Sequence, residues 1–181
     1  PILVTLIVAM PLLIRILYTS SFLPVVNFAS WLLLGILFKG FVWPVGFIFP
    51  AKGDLKTFGI IEISALLFNI FSNVLGYHFL GLNGLGISFI INYTFGLIIT
   101  FSFAYKKYGF KYNMSTIKGL IISLILVLGA FSFSFFLEGI WRYFVGSLFF
   151  AITIFYTYQE LNKRIGLKSL IVGVRAKFQR K

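Results

Sequence analysis

About six apolar runs, each close to the length that crosses a bilayer as a helix, follow one another along this 181-residue sequence with only short polar connectors between them. Hydrophobic residues make up 60% of the chain and charged residues 11%, and the mean hydropathy is +1.01. That is more apolar surface than a soluble domain of this size buries in one core. Lipid is therefore the expected solvent, and the fold class is all-α, a polytopic transmembrane helix bundle of about six spans. Spans and tail use nearly the whole length, so no soluble catalytic domain is expected.

The sequence opens on Pro1 and is apolar through Leu17, without an initiator Met or a basic leading region, which reads as a slice of a longer protein rather than as a signal peptide. There is no cysteine, and His78 is the only histidine, which argues against disulfides, thiolate chemistry and a Cys/His metal site. No cofactor is expected. No nucleophile with a base, phosphate-cradling glycine loop or carboxylate pair emerges, and the chain is not read as an enzyme.

The spans fall at about 1–17, 25–50, 57–75, 85–105, 117–137 and 140–158. Pro11 lies inside the first, and Lys39 and Pro44 inside the long second, where a kink or tilt is expected. Glu62, Asn69 and Asn73 lie in the third. Between the third and fourth, a connector over 76–84 carries no Lys or Arg, whereas the fourth stops at Lys106-Lys107. The bundle is placed at 1–160 and a basic tail at 161–181.

Sixteen Lys and Arg face four acids, and their placement carries more than their sum. Lys52 and Lys56, then Lys106, Lys107, Lys111 and Lys118, then the tail occupy alternate helix ends, while Arg15 and Arg142 stand near the opposite ends. The positive-inside rule puts the Lys-rich ends and the C-terminus in the cytoplasm, and topology absorbs charges that would otherwise suggest nucleic acid. In the tail, Leu167, Leu170, Ile171, Val174 and Phe178 follow helical spacing, which fits either an amphipathic helix on the inner leaflet or a simple charged anchor.

Among the intramembrane polar residues Lys39 is the most informative. An ammonium near mid-span costs at least about 2.5 kcal/mol on insertion scales, so it should face a protein interior or a wet cavity. Arg15, near a span end, can snorkel to the interface instead. Glu62 can pair with Lys52 or Lys56, or bind a proton. It shares one helix face with Asn69 and Asn73, a polar stripe that either lines a pathway or joins helices by hydrogen bonds. Two sequons, at Asn92 and Asn113, fall within a span and on the cytoplasmic side, so neither is expected to be glycosylated.

An ordered series of short signals runs along the first three fifths of the chain. They are Pro11-Leu12-Leu13 leading to Leu17-Tyr18 and Ser21-Phe22, then Trp31-Leu32-Leu33-Leu34-Gly35 with Lys39, Trp43-Pro44 through Ala51-Lys52-Gly53, Gly81 to Gly86, and Lys107-Tyr108-Gly109-Phe110. In this order the segment resembles the C-terminal lobe of bacterial polysaccharide exporters, the O-antigen or lipid-linked oligosaccharide flippases of the multidrug/oligosaccharidyl-lipid/polysaccharide exporter superfamily. The resemblance implies one lobe of a two-lobed transporter in the bacterial cytoplasmic membrane, packed against an N-terminal lobe of the same protein. It further implies a polyprenyl-diphosphate-linked oligosaccharide as substrate, with Lys39 first and Arg15 second as cavity cations for the diphosphate. Rival readings are a cation-coupled drug antiporter, a membrane-embedded polymerase or glycosyltransferase, and a structural bundle in which Lys39 pairs with a partner's carboxylate.

Overall fold

Apolar stretches in this chain close their backbone hydrogen bonds within themselves, as a chain in lipid must. A computed structural model describes residues 1–18, 20–137 and 139–165. In chain order these form α1 (Ile2–Leu17), a short 3-10 turn (Ser20–Phe22), α2 (Val25–Gly46), α3 (Ile48–Ala51), α4 (Leu55–Tyr108), α5 (Met114–Phe136) and α6 (Ile140–Ile165). Four stretches, Val25–Ala51, α4, α5 and Ile140–Arg164, are long and apolar enough to cross a membrane, and α1 is a shorter apolar helix. The chain is thus an all-α bundle with the character of a multi-pass membrane protein.

At 54 residues, α4 would be about 80 Å long if straight, more than twice the thickness of a hydrocarbon core. Instead Gly81, at φ 58° and ψ −137°, breaks it into two arms, 55–80 and 82–108, that fold back on each other. Phe68 and Phe95 stack across the arms at 4.1 Å, and the Ser88 hydroxyl donates to the Ser72 carbonyl at 2.7 Å. Nearer the turn the backbones themselves meet, for a Cβ on Gly84 would collide with the Gly76 carbonyl. The sequence suggested a connector over 76–84. Helix continues to Gly81 from both sides because a longer loop would leave peptide groups unpaired, and the Gly76 and Gly84 contact lets the arms close without one.

Pro11 breaks a different rule. Its missing N–H orphans the Ile7 carbonyl one turn earlier in α1. Arg142, from α6, donates to that carbonyl from Nη2 at 2.9 Å and to the Val8 carbonyl from Nε at 3.3 Å. Gly146, one turn along α6, lies where a Cβ would strike the Val8 side chain, so the glycine sets the close approach that brings Arg142 into reach. Arg142→Gln should lower the melting temperature of the full-length protein in detergent, whereas in a Pro11→Ala background, with the helix bond restored, the same change should cost markedly less. Equal losses in both backgrounds would show that the arginine does not serve the proline's carbonyl.

The long second run ends its first helix at Gly46, turns at Phe47 and resumes as α3. The break fits Pro50, whose ring opposes the carbonyl four residues earlier, more closely than it fits Pro44. Val4, Ile7 and Val8 of α1 pack with Leu33, Leu34 and Leu37 of α2 and Val127, Ala130 and Phe131 of α5 in the larger core cluster. A smaller one joins Val45, Phe49, Ile61 and Ala104, tying α2 and α3 to both arms of α4.

At the open end of the hairpin, Asp54 caps the first arm by accepting from the Thr57 N–H at 3.4 Å. It also accepts from Lys107 Nζ and the Tyr108 hydroxyl, both at 2.6 Å, clamping the ends of the two arms together. Lys52 lies over the Tyr108 ring at 4.7 Å, so both Lys-rich connectors share one end of the bundle. The Lys107 and Tyr108 hydrogen bonds hold the Asp54 carboxyl well below the usual carboxylate range. Its contribution to stability is therefore full above the unfolded carboxylate value of about 3.9 and drains away as pH falls below it. Thermal melts should show this acid-side loss in the wild type and a lower, flatter profile in Asp54→Asn.

Arg164 and Lys163 pair with Glu160 within α6, at 3.4 and 3.5 Å, so the helix continues past the end of the apolar run at Tyr158 to Ile165. The proposed tail stripe from Leu167 to Phe178 lies outside the described residues.

Candidate functional site

Three helical segments meet around a cleft of about 440 Å³: α2 contributes Lys39, Val42 and Trp43, the first arm of α4 contributes Ile61, Glu62, Ala65, Leu66 and Asn69, and the second arm contributes Phe89, Asn92, Tyr93, Gly96 and Thr100. The spacing on each segment is that of one helix face, so the cleft is built where three faces converge. Gly35 lets α2 settle against the second arm, its absent Cβ lying 3.3 Å from that of Phe89. Gly86 does the same for Trp31.

Lys39 is half-buried, with Nζ 5.0 Å from the Trp43 ring centroid and 5.8 Å from that of Tyr93. At a half-exposed site ring contacts of this kind contribute about 0.5–1 kcal/mol each, so the two together fall short of the ammonium's minimum insertion cost of about 2.5 kcal/mol. Opening onto a cleft supplies the remainder. Among the described residues no carboxylate pairs with Lys39.

Glu62 lines the same cleft and is exposed, and among the described residues it makes no ion pair with Lys52 or Lys56. The pairing open to it in the sequence is not the one the fold forms, because Lys52 turns to the Tyr108 ring. Asn69 lines the cleft, and its Oδ1 accepts from Asn73 Nδ2 at 2.8 Å. Asn73 itself borders a separate hollow with Tyr77, His78 and Leu85 near the Gly81 turn. The polar stripe is therefore divided, with Glu62 and Asn69 on the cleft and Asn73 behind it.

Asn92 was legible in the sequence only as part of a sequon. It is 8% exposed, its Oδ1 has no hydrogen-bond partner among the described residues, and it borders the cleft. A buried amide oxygen without a partner is costly unless water or a ligand donates to it. The signal that identifies it is the run Phe89, Asn92, Tyr93, Gly96, Thr100, a single helix face carrying polar groups through an apolar span. Asn113, the other sequon, is an N-cap whose side chain accepts from the Ser115 N–H at 3.3 Å.

Arg15 and Lys39, both expected to line one cavity, do not share it. Arg15 lies with Asn27, Arg142 and Tyr143 around a second cavity at the opposite end of α2 from the Lys-rich connectors. The arrangement therefore offers a cleft with one ammonium, one carboxylate, two amides and several aromatic rings, and a distinct arginine-lined cavity. Searches against protein-family models, curated proteins and solved structures give no match to this chain.

Proposed function

We propose that this chain is the C-terminal lobe of a flippase that moves a polyprenyl-diphosphate-linked oligosaccharide across the bacterial cytoplasmic membrane. In this reading α1, α2 with α3, the two arms of α4, α5 and α6 make six spans with the Lys-rich ends in the cytoplasm. The observation that carries it is Lys39, an ammonium with no carboxylate partner among the described residues, held over two rings in a cleft that mixes apolar side chains with Glu62, Asn69 and Asn92. Such a group offsets diphosphate charge, Asn69 and Asn92 supply hydrogen bonds, and Trp43 and Tyr93 present faces suited to sugar C–H groups. An N-terminal lobe would close the other side of the pathway. Transport is by alternating access, with no covalent step.

Glu62 favours a second reading. Exposed on the same cleft, it has the character of a cation- or proton-binding group in a drug antiporter of the same superfamily. The test is the sidedness of lipid-linked glycans in cells lacking the full-length gene, read with a membrane-impermeant glycan probe on intact and permeabilised spheroplasts. Repeat units that accumulate and label only after permeabilisation support the flippase. Exposed but unpolymerised units point to a polymerase, and unchanged glycans with new drug sensitivity point to the antiporter.

A further inference from the structure

We infer that the cavity between the C-terminal end of α1, the start of α2 and the α5–α6 turn is a second anion site, distinct from the Lys39 cleft, that takes a phosphate or diphosphate group. It has a volume of about 540 Å³ and is lined by Arg15, Asn27, Ser134, Arg142 and Tyr143. Neither arginine pairs with a carboxylate among the described residues. Glu138, in the turn beside it in sequence, lies outside those residues.

What makes this more than two surface cations is the way Arg142 is held. Its Nε and Nη2 donate to the Val8 and Ile7 carbonyls, so the guanidinium is fixed by backbone before any ligand arrives. Carbonyl acceptors orient the group without neutralising it, and its full charge stays at the cavity wall. A fixed, partly desolvated guanidinium beside a second one matches the charge and the several acceptor oxygens of a phosphate ester. Asn27 and Tyr143 add neutral donors.

Asn27 and Lys39 lie on one helix, about 18 Å apart along its axis at 1.5 Å per residue. The two anion sites thus sit at different depths of the bundle. A lipid headgroup and a water-soluble phosphate compound share the chemistry that this cavity selects.

Binding should be measured on the full-length protein in phosphatidylcholine nanodiscs, in a Lys39→Met background that removes the cleft's cation. Inorganic pyrophosphate is titrated calorimetrically, and phosphatidylglycerol retention is followed by native mass spectrometry of nanodiscs doped with that lipid. Residual binding of either probe that Arg15→Gln weakens by about tenfold or more supports the site, since a hydrogen bond to a charged group contributes on that order. Pyrophosphate dependence identifies a water-soluble source, and dependence for the lipid alone identifies a headgroup. Arg142→Gln is made with Pro11→Ala, so that the Ile7 carbonyl regains its helix bond, and should weaken the same probe. Loss of all anion binding in Lys39→Met alone, or binding indifferent to Arg15 and Arg142, overturns the second site. Because no transport is measured, that failure is separate from failure of the flippase reading.

Discussion

Under the flippase reading, Lys39→Met in the full-length protein is expected to reduce glycan export by at least roughly 10- to 100-fold while the protein inserts and accumulates normally, the loss corresponding to one or more hydrogen bonds to a charged group. The two halves of that expectation rest on different parts of the site. Methionine preserves the unbranched stem and gives up only the ammonium's contacts with the Trp43 and Tyr93 rings. Removing the ammonium also removes its insertion cost, and the folded bundle should be no less stable. Only a charged substrate group would notice the change. Lys39→Arg keeps the charge and the ring contacts and should retain part of the activity. Under the antiporter reading the dependence transfers to Glu62, and Glu62→Gln abolishes transport where Lys39→Met does not. Full export by both variants would leave the cleft without a role in transport.

Gly84→Ala is expected to destabilise the bundle by about 3 kcal/mol or more, at the upper end of what overpacking costs, with loss of the monodisperse species on size exclusion. By helix propensity alone the same change would stabilise by about 1 kcal/mol. The sign inverts because the new methyl meets the Gly76 carbonyl, and backbone cannot step aside as a side chain tip can. Gly59→Ala is the matched control on the first arm, since nothing lies within 4 Å of the Cβ it would add. It should be neutral or mildly stabilising. Equal behaviour of the two variants would mean that the arms do not touch at Gly76 and Gly84.

Much of the element order could be read from the sequence because the apolar runs are long and the connectors charged. Glu62, Asn69 and Lys39 could be read because each interrupts an apolar run and must go somewhere other than lipid. What the sequence did not carry was facing. In a soluble helix the apolar stripe marks the buried side, but here exposed Leu66, Leu67, Ile70 and Phe71 are as apolar as the core, so hydrophobicity does not say which helix meets which. The contact of Arg142 with Ile7 and Val8 links chain ends, and Pro11 gave only the need for a donor without its address. Arg15 and Lys39 look alike in sequence, as cations in adjacent runs, and only the packing assigns them to separate cavities. Asn92 was hidden by its sequon, a surface motif that means nothing at a buried position.

The loop-free hairpin of α4 also bears on how such a chain enters a membrane. From Gly76 to Gly84 there is no Lys, Arg, Asp or Glu, so in the orientation proposed above, with the Lys-rich ends in the cytoplasm, the Gly81 turn crosses the bilayer without a charged loop. In that orientation both anchoring ends, with Asp54 on one and Lys107 on the other, remain on the side of synthesis and can join as soon as the second arm emerges. The pair is then delivered as one prefolded insertion unit, and its orientation is settled by what stays behind rather than by what crosses.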